Sequence, residues 1–239
     1  VVDLVNPGVS ANVRDARHRS RRLLTGELDF RELDAVCARL DCTAEALVTT
    51  LIAAGLDAAR GAAGQPALAL DVVVPLSTGA DGRRAIVATT LPAAPAPLAM
   101  RLHQTADALD AIGAEPSLRL YALTARFSQA VPAPIIRTFG REFSRGADVA
   151  HLTQPGPTKA IRFAGQLVDA IYPFAPIIGV PPVVVATHLF RRKLFVGLDI
   201  DPHAAPRPEG ILAAIEAAWA ELRASVAART GSPSSPHRG

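Results

Sequence analysis

The sequence predicts an α/β fold, more exactly an α+β layered domain in which a mixed sheet is packed with helices, and three observations carry that expectation. Nearly continuous apolar runs at residues 67–76 and 85–91 have the length and Val content of strands buried on both faces. Apolar residues at helical spacing occur at Phe30, Leu33, Val36, Cys37 and Leu40, and again at Ile211, Leu212, Ile215, Trp219 and Leu222. The stretch between 149 and 200 is rich in short strand patterns. No internal repeat points to a solenoid.

Taken in order, residues 1–21 lack apolar periodicity and read as a linker, a short strand follows over 22–28, and a helix over 30–40. Thr43 is placed to cap the next helix, which carries Ala46, Leu47, Thr50, Leu51, Ala54 and Ala58 on one face and ends at Gly61 and Gly64. The two apolar strands are joined by a Gly-bearing turn over 78–82, and Pro95 and Pro97 open a helix through Leu98, Leu102, Leu109 and Ile112. Further helices are expected over 118–131 and 134–144, then strands over 149–153, 160–163, 166–171, 182–190 and 194–200. Arg191-Arg192-Lys193 suits a hairpin turn between the last two. An amphipathic helix closes the domain at 229, and the Ser/Pro-rich stretch 230–239 is expected to be a disordered tail.

With 49% apolar and 20% charged residues the chain is composed like a folded globular domain rather than a disordered one. Residues 171–190 lack charge, but Pro173, Pro176, Pro181 and Pro182 forbid a spanning helix, so the reading is buried strand, turn, buried strand. No secretory signal is recognised, and Cys37 and Cys42 are too few for a disulfide scaffold or a structural zinc site, which together point to a reducing, cytoplasmic setting. Positive charge is concentrated at Arg14, Arg17, Arg19, Arg21 and Arg22. Such a run is most often a solvated segment, with anionic lipid headgroups as the competing partner. Without interleaved aromatics, nucleic acid is not expected.

A histidine that serves as a general base requires an orienting partner and a substrate-facing position. His103 and Asp107 share a helix face and read as a surface pair. His151 and His188 fall in strands and read as satisfied core histidines, with an unrelated enzyme built on either one as the competing view. No nucleophile elbow, phosphate loop, dinucleotide fingerprint or zinc motif occurs, so no catalytic residue, metal or bound cofactor is predicted.

Four landmarks nevertheless stand in a familiar order: Pro155-Gly156-Pro157, Phe163-Ala164-Gly165, Ile171-Tyr172-Pro173-Phe174-Ala175-Pro176 and Leu194-Phe195-Val196-Gly197-Leu198-Asp199. With Val74-Pro75-Leu76-Ser77 upstream, this resembles the C-terminal region of the bacterial wax ester synthase/diacylglycerol O-acyltransferase family. The resemblance spans residues 22–228 and implies the C-terminal lobe of a chloramphenicol acetyltransferase-like fold. It implies acyl transfer from acyl-CoA, as co-substrate, to a long-chain alcohol or diacylglycerol, hence a place in triacylglycerol and wax ester formation. It also implies an N-terminal lobe as partner, in the same chain or another, and peripheral contact with a membrane or lipid droplet.

The family's His-His-x-x-x-Asp-Gly motif does not occur here. Its Asn-Asp pair is matched by Glu45-Ala46 and its Ser-Asn by Leu152-Thr153. The positions that the resemblance places on the substrate tunnel or the lobe interface are Glu45, Ser77, Thr153, Pro155, Gly156, Pro157, Gly165 and Tyr172. Two functions follow: a lobe that completes an acyltransferase whose histidine lies elsewhere, or a non-catalytic relic that binds lipid or another protein. The first requires an exposed apolar face.

Overall fold

The computed structural model describes residues 21–65, 69–77, 84–91, 96–114, 146–154, 156–157, 159–175, 181–202 and 208–230. The helices expected over 118–131 and 134–144, the turn over 78–82, Arg14, Arg17, Arg19 and residues 231–239 lie outside these. Within them the order is β1 (Arg22–Asp29), α1 (Leu33–Leu40), α2 (Ala44–Ala62), β2 (Leu70–Ser77), β3 (Arg84–Leu91), α3 (Leu98–Gly113), β4 (Val149–Gln154), β5 (Arg162–Phe163), β6 (Gln166–Leu167), β7 (Val183–Phe190), β8 (Lys193–Ile200) and α4 (Glu209–Thr230).

Six strands form one sheet in the order β1-β8-β7-β4-β2-β3. β4 runs parallel to both β2 and β7, whereas β2–β3, β7–β8 and β1–β8 are antiparallel. The sheet is therefore mixed, with parallel strands at its centre. Side chains alternate across a sheet, and only one parity joins the helices in the main core: Leu70, Val72 and Val74 on β2, Val149 on β4, Val183 and Val185 on β7, and Leu194, Val196, Leu198 and Ile200 on β8. The opposite parity is buried as well at the centre of the sheet, at Val73, Val184, Ala186 and Phe195. There the segment 171–175 crosses β8.

The α2 helix starts where Thr43 accepts a hydrogen bond from the Ala46 amide at 3.1 Å, which satisfies one of the free amides of the first turn. It ends at Ala62, with Gly64 at φ +71° just beyond. The expected single apolar face is too narrow a description: every residue from Ala46 to Ala53 is buried, because α2 lies between the sheet, α3 and α4, while Ala58 is exposed. α4 approaches α2 closely at Gly55, where a Cβ would sit 2.6 Å from Ile215 Cγ1 and 2.9 Å from the Ile211 carbonyl oxygen. Trp219 of α4 donates its Nε1 hydrogen to the Asp29 carbonyl at 2.8 Å and packs against Phe30 with ring centroids 4.6 Å apart and tilted by 42°, fixing α4 to the end of β1.

Several expectations are corrected. The strand over 85–91 is not buried on both faces: β3 is an edge strand, and Ala88 and Thr90 are exposed. The strands expected over 160–163 and 166–171 reduce to the two-residue hairpin β5–β6, separate from the main sheet and exposed. Residues 171–175 belong to no strand and are partly exposed, so among the described residues of the uncharged stretch 171–190 only 183–190 form a strand, buried except at Leu189. The helix expected from Phe30 begins at Leu33.

The turn between β7 and β8 consists of Arg191 and Arg192, at φ +50° and +61°. Two left-handed residues in a two-residue loop match the right-handed twist of the flanking strands. Arg21 and Arg22, from the basic run, pair with Asp199 and Glu209 at 2.7 and 2.6 Å rather than standing free. Among the described residues no single helix is long and apolar enough to cross a membrane.

Candidate functional site

The three parallel strands β2, β4 and β7 end together, and the carboxyl ends of such strands are where open α/β sheets form crevices. Ser77 closes β2, and Gln154, which follows Thr153, closes β4 in register with His188 of β7. Two histidines lie here on opposite faces of the sheet, and their environments differ.

His151 faces the helices and is 1% exposed. Its Nδ1 lies 3.1 Å from Thr49 Oγ1 on α2, and its Nε2 lies 3.0 Å from both Thr153 Oγ1 and Thr187 Oγ1, which are 3.1 Å apart. Strand alternation dictates this cluster, since residues 151 and 153 of β4 pair with 185 and 187 of β7. A neutral imidazole offers one donor and one acceptor, and hydroxyls can serve either, so both nitrogens are satisfied. Burial holds its pKa down to about 3. So weak and enclosed a base is unsuited to proton abstraction at neutral pH, and the reading of His151 as a satisfied core histidine holds.

That burial has a measurable consequence. Above pH 6.5 the imidazole is neutral folded or unfolded and stability is unaffected; from there down to about 3 the unfolded chain binds a proton that the folded one refuses. Folding free energy should fall across that window by up to roughly 5 kcal/mol, from 1.36 kcal/mol per pKa unit. Urea denaturation at pH 7 and pH 4 should show a steeper loss for the native chain than for His151→Gln. Equal losses would mean that the imidazole takes up its proton normally.

His188 faces the other way and is 6% exposed, and burial lowers its pKa. Its Nε2 is buried without a hydrogen-bond partner, so the expectation of a satisfied histidine fails here. Its ring lies 5.7 Å from that of Phe195, which in turn meets Tyr172 edge-on at 5.4 Å.

Two glycines set the backbone around these rings. A Cβ on Gly156 would lie 1.7 Å from the Leu189 carbonyl oxygen, and one on Gly197 would lie 1.8 Å from that of Pro173. Gly156 therefore rests on β7, and two of the landmarks that carry the resemblance meet where the Tyr-Pro-Phe segment crosses β8 at the glycine of Phe-Val-Gly-Leu-Asp.

Of the expected site residues, the structure brings Gly156 and Tyr172 to one neighbourhood with His188 and Phe195, while Thr153 bonds His151 on the opposite face of the sheet. Glu45 is half-buried in the first turn of α2, one helical turn before Thr49. Ser77 lies at the same end of the sheet. Pro157 is exposed, and Pro155 is outside the described residues. Gly165 is apart, at φ +82° in the exposed β5–β6 turn. Thr49, Thr187 and Phe195 were not singled out as site residues, although Thr187-His188 is a polar pair inside a strand otherwise apolar from 183 to 190. Buried polar side chains need partners, and that signal marks them. His103 and Asp107, 3.9 Å apart and largely exposed, are the expected surface pair.

Exposed apolar side chains gather on the crossing segment and its hairpin. Phe163 is 79% exposed, Phe174 45%, Tyr172 41% and Leu167 39%. Among the described residues no three His, Cys, Asp or Glu side chains converge as a metal site would require.

A family model described as the WS/DGAT C-terminal domain matches residues 83–223. Among solved structures, the wax ester synthase/diacylglycerol acyltransferase from Marinobacter aquaeolei VT8 is 18% identical with a TM-score of 0.67, over 87% of this chain and 50% of that one. Polyketide synthase associated protein 5 from Mycobacterium tuberculosis is 11% identical with a TM-score of 0.54, over 84% of this chain and 52% of that one. The starter condensation domain of rhizomide synthetase RzmA, a mutant in complex with C8-CoA and Leu-SNAC, is 16% identical with a TM-score of 0.50, over 92% and 49%. At these identities the likeness is one of fold, and the chain spans about half the length of these structures. A search of curated proteins returns no match.

Proposed function

The chain belongs to the wax ester synthase/diacylglycerol acyltransferase family through its C-terminal domain, and on that premise we propose that it is one lobe of a two-lobed O-acyltransferase and acts by docking on an N-terminal lobe that carries the catalytic histidine. The observation that carries this reading is the run of exposed apolar side chains at Phe163, Leu167, Tyr172 and Phe174, the surface that a two-lobe protein presents when its halves are considered singly. The chain's span of half the matched structures supports it.

In this reading the rings of Tyr172 and Phe195, with His188 behind them, line one wall of a passage for an acyl chain and its acceptor, a long-chain alcohol or diacylglycerol. Acyl-CoA is the donor. The CoA thioester bound to the condensation domain of the same fold supports a donor of that class. Proton abstraction from the acceptor hydroxyl belongs to the other lobe, and this lobe excludes water and positions the chain. Contact with a membrane or lipid droplet follows from the chemistry of such acceptors.

Co-expression with an N-terminal lobe bearing the His-His-x-x-x-Asp-Gly motif tests the proposal. A co-purifying complex that transfers acyl groups from an acyl-CoA to a long-chain alcohol is expected. Phe163→Asp with Tyr172→Asp should weaken that complex more than about tenfold, since buried aromatic anchors dominate interfaces. Absence of a complex would favour the non-catalytic module, and robust turnover by this chain alone would overturn both readings.

A further inference from the structure

We propose that Cys37 and Cys42 form a reversible dithiol site, closed to an intramolecular disulfide by exchange with low-molecular-weight disulfides. Cys37 lies in the last turn of α1, which ends at Leu40. Asp41 then adopts the left-handed conformation, φ +49° and ψ +56°, and turns the chain back on the helix. The Cys42 amide donates to the Cys37 carbonyl at 3.1 Å, so the backbone itself holds the two residues together.

That bond is the 6→1 closure of a Schellman motif, a geometry that brings the side chains of its two end residues together. Both are half-buried and packed against the core, which limits the rotamers by which the sulfurs could part. Both are free thiols, and no third metal-ligating side chain converges on them among the described residues. A metal site is thus disfavoured relative to a redox pair.

The two sulfurs are unequal. Donation from Cys37 stabilises the Cys42 thiolate and lowers its pKa, while the same contact and burial push the Cys37 thiol up. Cys42 is therefore the attacking sulfur. Its thiolate attacks one sulfur of a small disulfide, forming a mixed disulfide and expelling one small thiolate, which takes up a proton. Cys37 then gives up its proton and attacks the Cys42 sulfur, expelling the second small thiolate. Two protein thiols are oxidised and one small disulfide is reduced to two thiols, so the exchange balances. The disulfide staples the end of α1 to the turn that leads into α2.

The test uses the full chain and glutathione disulfide at neutral pH, followed by iodoacetamide and peptide mass analysis. The expected product is the Cys37–Cys42 disulfide, lighter by two hydrogens, retaining no glutathione and reopened by dithiothreitol. Cys37→Ser should retain glutathione on Cys42, and Cys42→Ser should acquire it at least about tenfold more slowly. An unmodified native chain, a lasting glutathione adduct on it, or a disulfide between chains would overturn the proposal. Those readouts come from the native chain, so they stand even where a serine variant fails to fold. Equal reaction rates of the two variants would remove the assigned asymmetry and count against the exchange as written.

Discussion

Replacing Gly197 by alanine should destabilise the domain by more than about 3 kcal/mol, at or beyond the upper end of ordinary overpacking. The added methyl would lie 1.8 Å from the Pro173 carbonyl oxygen and 3.0 Å from its carbon, so the obstruction is backbone and no rotamer change relieves it. Either the segment 171–175 lifts from β8 or the strand bends away, and both withdraw Tyr172 from the Phe195 ring it meets at 5.4 Å. A control is available in the neighbouring strand. Gly26 of β1 would bring its Cβ to 2.8 Å from Leu212 Cδ2, the end of a flexible side chain, so Gly26→Ala should cost less than about 1 kcal/mol. Urea midpoints for the two variants, with chymotryptic cleavage after Phe174 as a local readout, compare them directly. Similar stabilities for both would show that the crossing segment is not held as described.

The second large effect is expected at the ion pair between Asp57 of α2 and Arg101 of α3, whose side chains are each 7% exposed. Burial pushes the Asp57 carboxyl up against the opposing pull of Arg101, and its Oδ1 has no hydrogen-bond partner. Removing only the cation leaves a buried carboxylate uncompensated, so Arg101→Met should cost about 3–5 kcal/mol at neutral pH. Without the cation the carboxyl rises further above its unfolded value. Stability then favours the protonated form, and the deficit should shrink as pH falls toward 4. Asp57→Leu combined with Arg101→Met should recover most of the loss, because two apolar side chains pack where two charges had to be desolvated. A single substitution costing under about 1 kcal/mol would show that the pair is hydrated in solution.

What the sequence made legible follows from how local each determinant is. The strands at 182–190 and 194–200 and their Arg-Arg turn were readable because apolar runs and a short polar break are encoded within about twenty residues. Thr43 as a cap, and Gly64 just past the end of α2, were readable for the same reason, whereas Gly61 stays inside the helix. The strands over 166–171 were not, because Gln166, Leu167, Val168 and Ile171 have strand-like composition but meet no sheet partner beyond Leu167.

For the site, Thr153, Gly156 and Tyr172 were found through the resemblance, and the face of the sheet that each occupies was not. The reason Gly197 must be glycine is the carbonyl of Pro173, 24 positions earlier in the chain. His151 and His188 look alike in sequence, and only the alternation of β4 and β7 across the sheet separates a fully bonded imidazole from one with an unpaired nitrogen.

The pairing of β1 with β8 joins residues as far apart as Arg22 and Ile200, 178 positions. At a synthesis rate of roughly 5–20 residues per second, β1 leaves the ribosome some ten to thirty-five seconds before its sheet partner exists. During that interval it is an unpaired strand, able to add to the edge of another chain. Arg22, Glu27 and Asp29 place charge along it at both ends. Those charges are spent in the finished fold on Glu209, Lys193 and Arg31, and before that they keep a waiting strand from being captured by the wrong edge.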